Sequence, residues 1–210
     1  MKKCRNKMLL CVVLAVMCFL CMNILADIPK NEEAYLESYQ SILNTMKAEM
    51  ENAEKTGDPA LNYLYQMRPH HEAAIAMSKN LIQYGTNEKV KEIAQKIIEE
   101  QTGEITKVNQ LIEKIKADMQ EDKAQETAYR IDFMVFYDAM ITSMESTKLT
   151  GDVDKDFLQQ MIPHHDGAIN ISRSILKYTP NEEVKQMAQN TIKKQSDEIR
   201  EMDQLFNYIH

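Results

Sequence analysis

The sequence predicts an all-α protein, an antiparallel helical bundle built by tandem duplication of a three-helix unit. Three observations carry this. From about residue 30 the chain is rich in Glu, Lys, Gln, Ala, Leu, Ile and Met, with five Gly in all and no β-branched run, the composition of packed amphipathic helices. The second half repeats the first, without a gap, at an offset of 94 residues. Helix-ending and helix-capping signals fall at matching places in both copies.

The repeat pairs Tyr35 with Tyr129, Met46 and Met50 with Met140 and Met144, and Thr56-Gly-Asp58 with Thr150-Gly-Asp152. Met67-Arg-Pro-His-His71 then pairs with Met161-Ile-Pro-His-His165, Tyr84 with Tyr178, and Asn87-Glu88 with Asn181-Glu182. Gln101, Glu104 and Ile105 match Gln195, Glu198 and Ile199. The units span residues 27–120 and 121–210, and two copies of one amphipathic unit bury their stripes best about a pseudo-twofold axis.

Within a unit, the first helix is predicted from about Glu32 to Lys55 and stops at Gly57, which lacks the Cβ that opposes a left-handed helix end. Asp58 caps the second helix with Pro59 at its first position, and Asp152 repeats the cap. That helix runs to Tyr84 or Tyr178. Pro69 and Pro163 cannot donate to the preceding turn, so a kink or short break is expected before each histidine pair. The third helix opens at the capping box Thr179-Pro-Asn-Glu182, and less sharply at Gly85-Thr-Asn-Glu88. Its buried stripe is Val90, Ala94, Ile97, Ile98, Gln101, Ile105, Val108, Leu111, Ile112 and Ile115. It either continues into the next unit or bends between Asp118 and Glu126.

Residues 1–26 read as a signal peptide. Lys2, Lys3, Arg5 and Lys7 precede an apolar run from Met8 to Met22, short of the roughly 20 residues that span a bilayer, with Ala26 at a plausible cleavage point. Cys4, Cys11, Cys18 and Cys21 all lie inside it, so a mature domain would have neither disulfide nor thiolate site. Its destination would be periplasmic or secreted, with no membrane contact unless the segment is retained as an anchor. The remaining 21 basic and 32 acidic side chains repel phosphate backbones, which argues against nucleic acid as a partner. A homo-oligomer is compatible with the sequence.

The repeated pentapeptide is the candidate site. On a helix Met67 shares a face with His70 and His71, and Met161 with His164 and His165, at i+3 and i+4. Adjacent histidines point about 100° apart, so the two are not an equivalent pair for one ion. Met46, Met50, Met140 and Met144 supply further thioethers. Thioether plus imidazole without thiolate is a soft donor set that suits Cu(I). A di-iron site would place carboxylate where Met67 and Met161 stand. Gln101, Glu104, Gln195 and Glu198 are candidates to receive an imidazole N–H. Each group also has a plainer role: the methionines as core filler, the histidines as a buried pair, the glutamines bonded to backbone.

With Asp152, Phe157-Leu-Gln-Gln-Met-Ile-Pro-His-His-Asp-Gly-Ala-Ile169 and Gln195-Ser-Asp-Glu-Ile-Arg-Glu-Met202, the chain resembles the domain of unknown function family 305. These are bacterial, exported, ferritin-like helical proteins, some regarded as copper binders. The resemblance implies Met67, His70, His71, Met161, His164 and His165 as ligands, the second copy being the closer match.

Together these features predict an exported protein that sequesters or delivers copper, Cu(I) favoured, without catalysis, since no nucleophile-base pair or cofactor loop is present. A metal-dependent oxidase on a ferritin-like bundle and a non-catalytic structural or partner-binding helical module are the alternatives. Imidazole binds metal only when neutral, so release is expected as pH falls through about 6.

Overall fold

The structure, a computed structural model, describes residues 30–209 apart from 118 and 120. The signal peptide expected at residues 1–26 lies outside the described residues. Six helices follow in order: α1 Lys30–Glu51, α2 Pro59–Tyr84, α3 Glu88–Lys116, α4 Lys123–Glu145, α5 Val153–Ile175 and α6 Glu182–Phe206. Among the described residues there is no strand, and no helix is long and apolar enough to cross a membrane.

The punctuation acts locally. Gly57 and Gly151 take φ of +79° and +80°, the left-handed conformation that costs other residues a Cβ clash. Asp58 accepts from the N–H groups of Ala60 and Leu61, and Asp152 from those of Asp154 and Lys155. The third helices are capped by Asn87 and Asn181, two residues later than a Thr179 capping box would place the start; Thr179 instead accepts from the Asn181 N–H. Asp122 caps α4 and ends the alternative of one helix from 87 to 149; the chain turns in the polar stretch. α1 ends at Glu51, short of Lys55. Both prolines lie inside continuous helices, so there is no break at Pro69 or Pro163. The missing N–H removes a single hydrogen bond from a turn that packing holds on both sides.

Within each half the second helix is central: α1 and α3 pack on α2, and α4 and α6 on α5. The halves meet chiefly where α2 faces α5, with smaller contacts from α2 to α4 and from α3 to α6. Reciprocal hydrogen bonds cross between them. Tyr35 donates to Gln160 Oε1 at 2.6 Å, and its counterpart Tyr129 to Gln66 Oε1 at 2.7 Å, all four buried. Each first helix is thus fastened to the second helix of the opposite half.

The halves differ in packing. A Cβ on Gly167 would run into the side chain of Met140, so α4 and α5 approach more closely than a larger residue permits. At the matching place in the first half stands Ala73, and a cleft of about 330 Å³ remains between α1 and α2, lined in part by Met46, Pro69, Glu72 and Ala73. Gly167→Ala is therefore expected to cost about 1–3 kcal/mol in chemical denaturation, as overpacking does. The cost should largely vanish in a Met140→Ala background, because the clash is with that side chain.

Candidate metal centre

The two histidine pairs form one cluster. His70, His71, His164 and His165 are all buried, on the facing sides of α2 and α5. The rings of His70 and His164 lie 3.7 Å apart at 30°, so the copies meet ring on ring, while each histidine sits 5.9 or 5.8 Å from its sequence neighbour. Met67 and Met161, three residues earlier, are buried, as are Met46 and Met50 on α1 and Met140 and Met144 on α4. Every predicted ligand is therefore in the core.

Hydrogen bonds fix two tautomers. His70 Nε2 lies 3.1 Å from the His164 carbonyl oxygen, which can only accept, so Nε2 carries the hydrogen. His165 Nε2 lies 2.8 Å from Glu198 Oε2 and donates to it. The Nδ1 lone pair of the neutral His70 ring is then left free. Nδ1 of His70, His71, His164 and His165, and Nε2 of His164, are buried without a partner. Leaving a buried polar group unpaired costs about 1–3 kcal/mol, so five together mark a place for a further ligand.

Of the four outer groups, Glu198 alone is bonded to an imidazole. Glu104 is instead held by Lys107 and Lys194, each 3.3 Å away. The repeat explains the difference: the counterpart of Lys107 is Glu201 and that of Lys194 is Glu100, so Glu198 has no such cations. Gln101 and Gln195 are buried, and their carbonyl oxygens are unpartnered rather than bonded to imidazole or backbone. Sequence reasoning overlooked Gln66 and Gln160, which anchor the tyrosines directly before Met67 and Met161; their identity across the repeat was the available signal.

Burial sets the electrostatics. Loss of water, followed by the neighbouring imidazoles, holds His70 and His164 well below the usual histidine range. Burial also lowers His71 to about 4, against the opposing pull of Glu104. These rings are neutral lone-pair donors, the form a metal requires.

Donor chemistry fits a soft cation; the imidazoles by themselves do not close a cage. Among the described residues no three His, Cys, Asp or Glu side chains converge as a metal site. Nearly parallel rings cannot aim their in-plane lone pairs at one point. Completing a coordination shell needs a thioether, from Met67 or Met161 first, or rotation of a ring.

In the metal-free protein, the histidines' contribution to stability should be complete above about pH 6.5 and fall as acid is added toward pH 4. The unfolded chain binds protons at those histidines over that range while the folded core refuses them. Thermal melts with and without His71→Gln check this, the variant losing part of the slope.

The model of the family described as domain of unknown function DUF305 matches residues 60–206. A crystal structure of a DUF305 fragment from Deinococcus radiodurans is similar in fold, with a TM-score of 0.54 and 19% identity over 75% of this chain and 99% of that one. The uncharacterized protein L153 of Acanthamoeba polyphaga mimivirus is 41% identical over 54 residues, 26% of this chain and 36% of the viral protein. The aligned stretch thus spans about a third of that relative. The chain belongs to the DUF305 family.

Proposed function

We propose that this protein binds copper, as Cu(I), in the core of a ferritin-like bundle and sequesters or delivers it outside the cytoplasm without catalysing a reaction. The observation that carries the proposal is the set of five unpartnered ring nitrogens buried between α2 and α5. Burial keeps His70, His71 and His164 neutral, buried methionines flank them in sequence, and no thiolate is available among residues 30–209. A soft, desolvated monovalent ion is the ligand such a set accepts at the lowest electrostatic cost. Glu198 would orient His165 and strengthen it as a donor, as an outer carboxylate does for a metal-bound imidazole.

Under anaerobic competition with a chromophoric chelator, the purified protein should take up Cu(I). Combining His70→Ala with His164→Ala should weaken uptake at least about tenfold, and Glu198→Gln by about 10–100-fold. Unchanged affinity in the double variant would remove the histidine basis of the proposal. Because burial holds His71 at about 4, copper should be retained at about pH 6 and released nearer pH 4, below the window expected for exposed imidazole. Dialysis at stepped pH with metal analysis reads this directly.

A further inference from the structure

We propose that Glu32 and Asp156 form a buried proton-binding site, one proton shared between two carboxyl groups, which fastens the first turn of α1 to the first turn of α5. Glu32 is 2% exposed and Asp156 is fully buried. Their side chains face each other across the two halves. Asp156 Oδ1 already accepts from the Thr150 N–H at 2.6 Å and from Thr150 Oγ1 at 2.7 Å. Both Glu32 oxygens and Asp156 Oδ2 have no donor. Two carboxylates have no hydrogen to offer one another, so as anions they would be buried, unpaired and mutually repelling.

The duplication supplies the reference. The counterparts of Asp156 and Glu32 are Asn62 and Glu126. Asn62 Oδ1 accepts from the Thr56 N–H at 2.9 Å and from Thr56 Oγ1 at 3.0 Å, as Asp156 does from Thr150. Its Nδ2 then donates to Glu126 Oε1 at 3.1 Å. An amide N–H in one half stands where the other has a bare carboxylate oxygen, and Glu126 also has Arg130 at 3.7 Å and the Thr127 hydroxyl at 3.4 Å, whose counterparts Leu36 and Glu33 offer Glu32 neither a cation nor a hydroxyl. A proton on Glu32 restores the missing hydrogen.

Among the described residues the surroundings supply no hydrogen-bond donor to Glu32. The charges that act on Glu32 are Asp156 and Asp152, both negative. Asp152 is committed to the α5 N-terminus, and Asp154 Oδ2 to the Thr86 and Asn87 N–H groups and the Thr86 hydroxyl. Tyr35 and Tyr39 complete the nearby titratable groups. A hard cation needs more than two carboxylates, about six oxygens for Ca²⁺, and among the described residues no third His, Cys, Asp or Glu joins these two. Burial first, then the hydrogen bond to Asp156 and the charges of Asp156 and Asp152, push Glu32 up to about 7.

The sign of the effect follows. Between about pH 4.5 and 7 the folded protein keeps a proton that the unfolded chain has lost, so this contribution is full below 4.5 and disappears as pH rises through 7. Tyr35, one turn beyond Glu32, donates to Gln160 beside Met161, so the proton also steadies the approach of α1 to the histidine cluster. The inference does not depend on copper.

Carboxyl ¹³C NMR of the metal-free protein tests it. Glu32 should titrate near 7, and Asp156→Asn should lower its apparent pKa by about two units or more and flatten the decline in thermal stability that Glu32 contributes between about pH 4.5 and 7. Asn62→Asp should raise Glu126 and add a further loss of stability as pH rises above about 4.5, smaller than that of Glu32 because Arg130 stays 3.7 Å from Glu126. A Glu32 that titrates near 4.5 in the unaltered protein overturns the proposal without any variant. So does a decline between about pH 4.5 and 7 unchanged by Asp156→Asn, or one abolished by added Ca²⁺ or Mg²⁺, which would make this a cation site.

Discussion

Everything in this bundle is arranged around the meeting of α2 and α5, where the ring of His70 lies against that of His164. Four imidazoles in a dry core are costly, because apolar neighbours offer no partners for their nitrogens. The chain meets part of that cost with the His164 carbonyl and the Glu198 carboxylate, and leaves five nitrogens unmet. A protein that needed only stability would fill these positions with leucine. The surrounding helices complete the core: α3 and α6 carry the buried Glu104, Glu198 and two glutamines, while α1 and α4 carry buried methionines and are themselves held by the crossed Tyr35–Gln160 and Tyr129–Gln66 bonds.

Duplication makes each half a control for the other, and the differences are concentrated at contacts. Tyr63 shares a hydrogen bond with Ser172 at 2.9 Å; its counterpart Phe157 has no hydroxyl, and the matching Ser78 hydroxyl is left without a partner. Gly167 receives Met140, where Ala73 leaves a cleft beside Met46. Lysines take Glu104 away from the imidazoles, and their acidic counterparts leave Glu198 free for His165. The same frame therefore gives His165 a carboxylate partner that its counterpart His71 lacks. Buried histidines resist protonation while the buried Glu32 retains a proton, so the core is penalised in acid and the attachment of α1 in base.

Much of the fold was legible in order along the chain. Glycine after the first helix, and aspartate and proline at the second, act through bonds within a few residues of themselves, so local spacing reports them. Boundaries were less legible where a cap competes with packing: α1 stops at Glu51, and Asn181 rather than Thr179 opens α6. The prolines show the limit of a local rule, since tertiary packing carries both helices through them.

At the site, the sequence by itself determined the donors, because residue identity and i+3, i+4 spacing fix which side chains share a helical face. It also determined the symmetry, through the 94-residue offset that separates His70 from His164. Only the tertiary structure decided that the two pairs are one cluster, that Glu198 and not Glu104 holds an imidazole, and that Asp156 faces Glu32 across 124 residues of chain. The reason is physical: one-dimensional spacing constrains neighbours on a helix, whereas contacts between helices depend on how two faces seat. Single exchanges such as Asn for Asp or Gly for Ala decide that seating without altering the helical pattern.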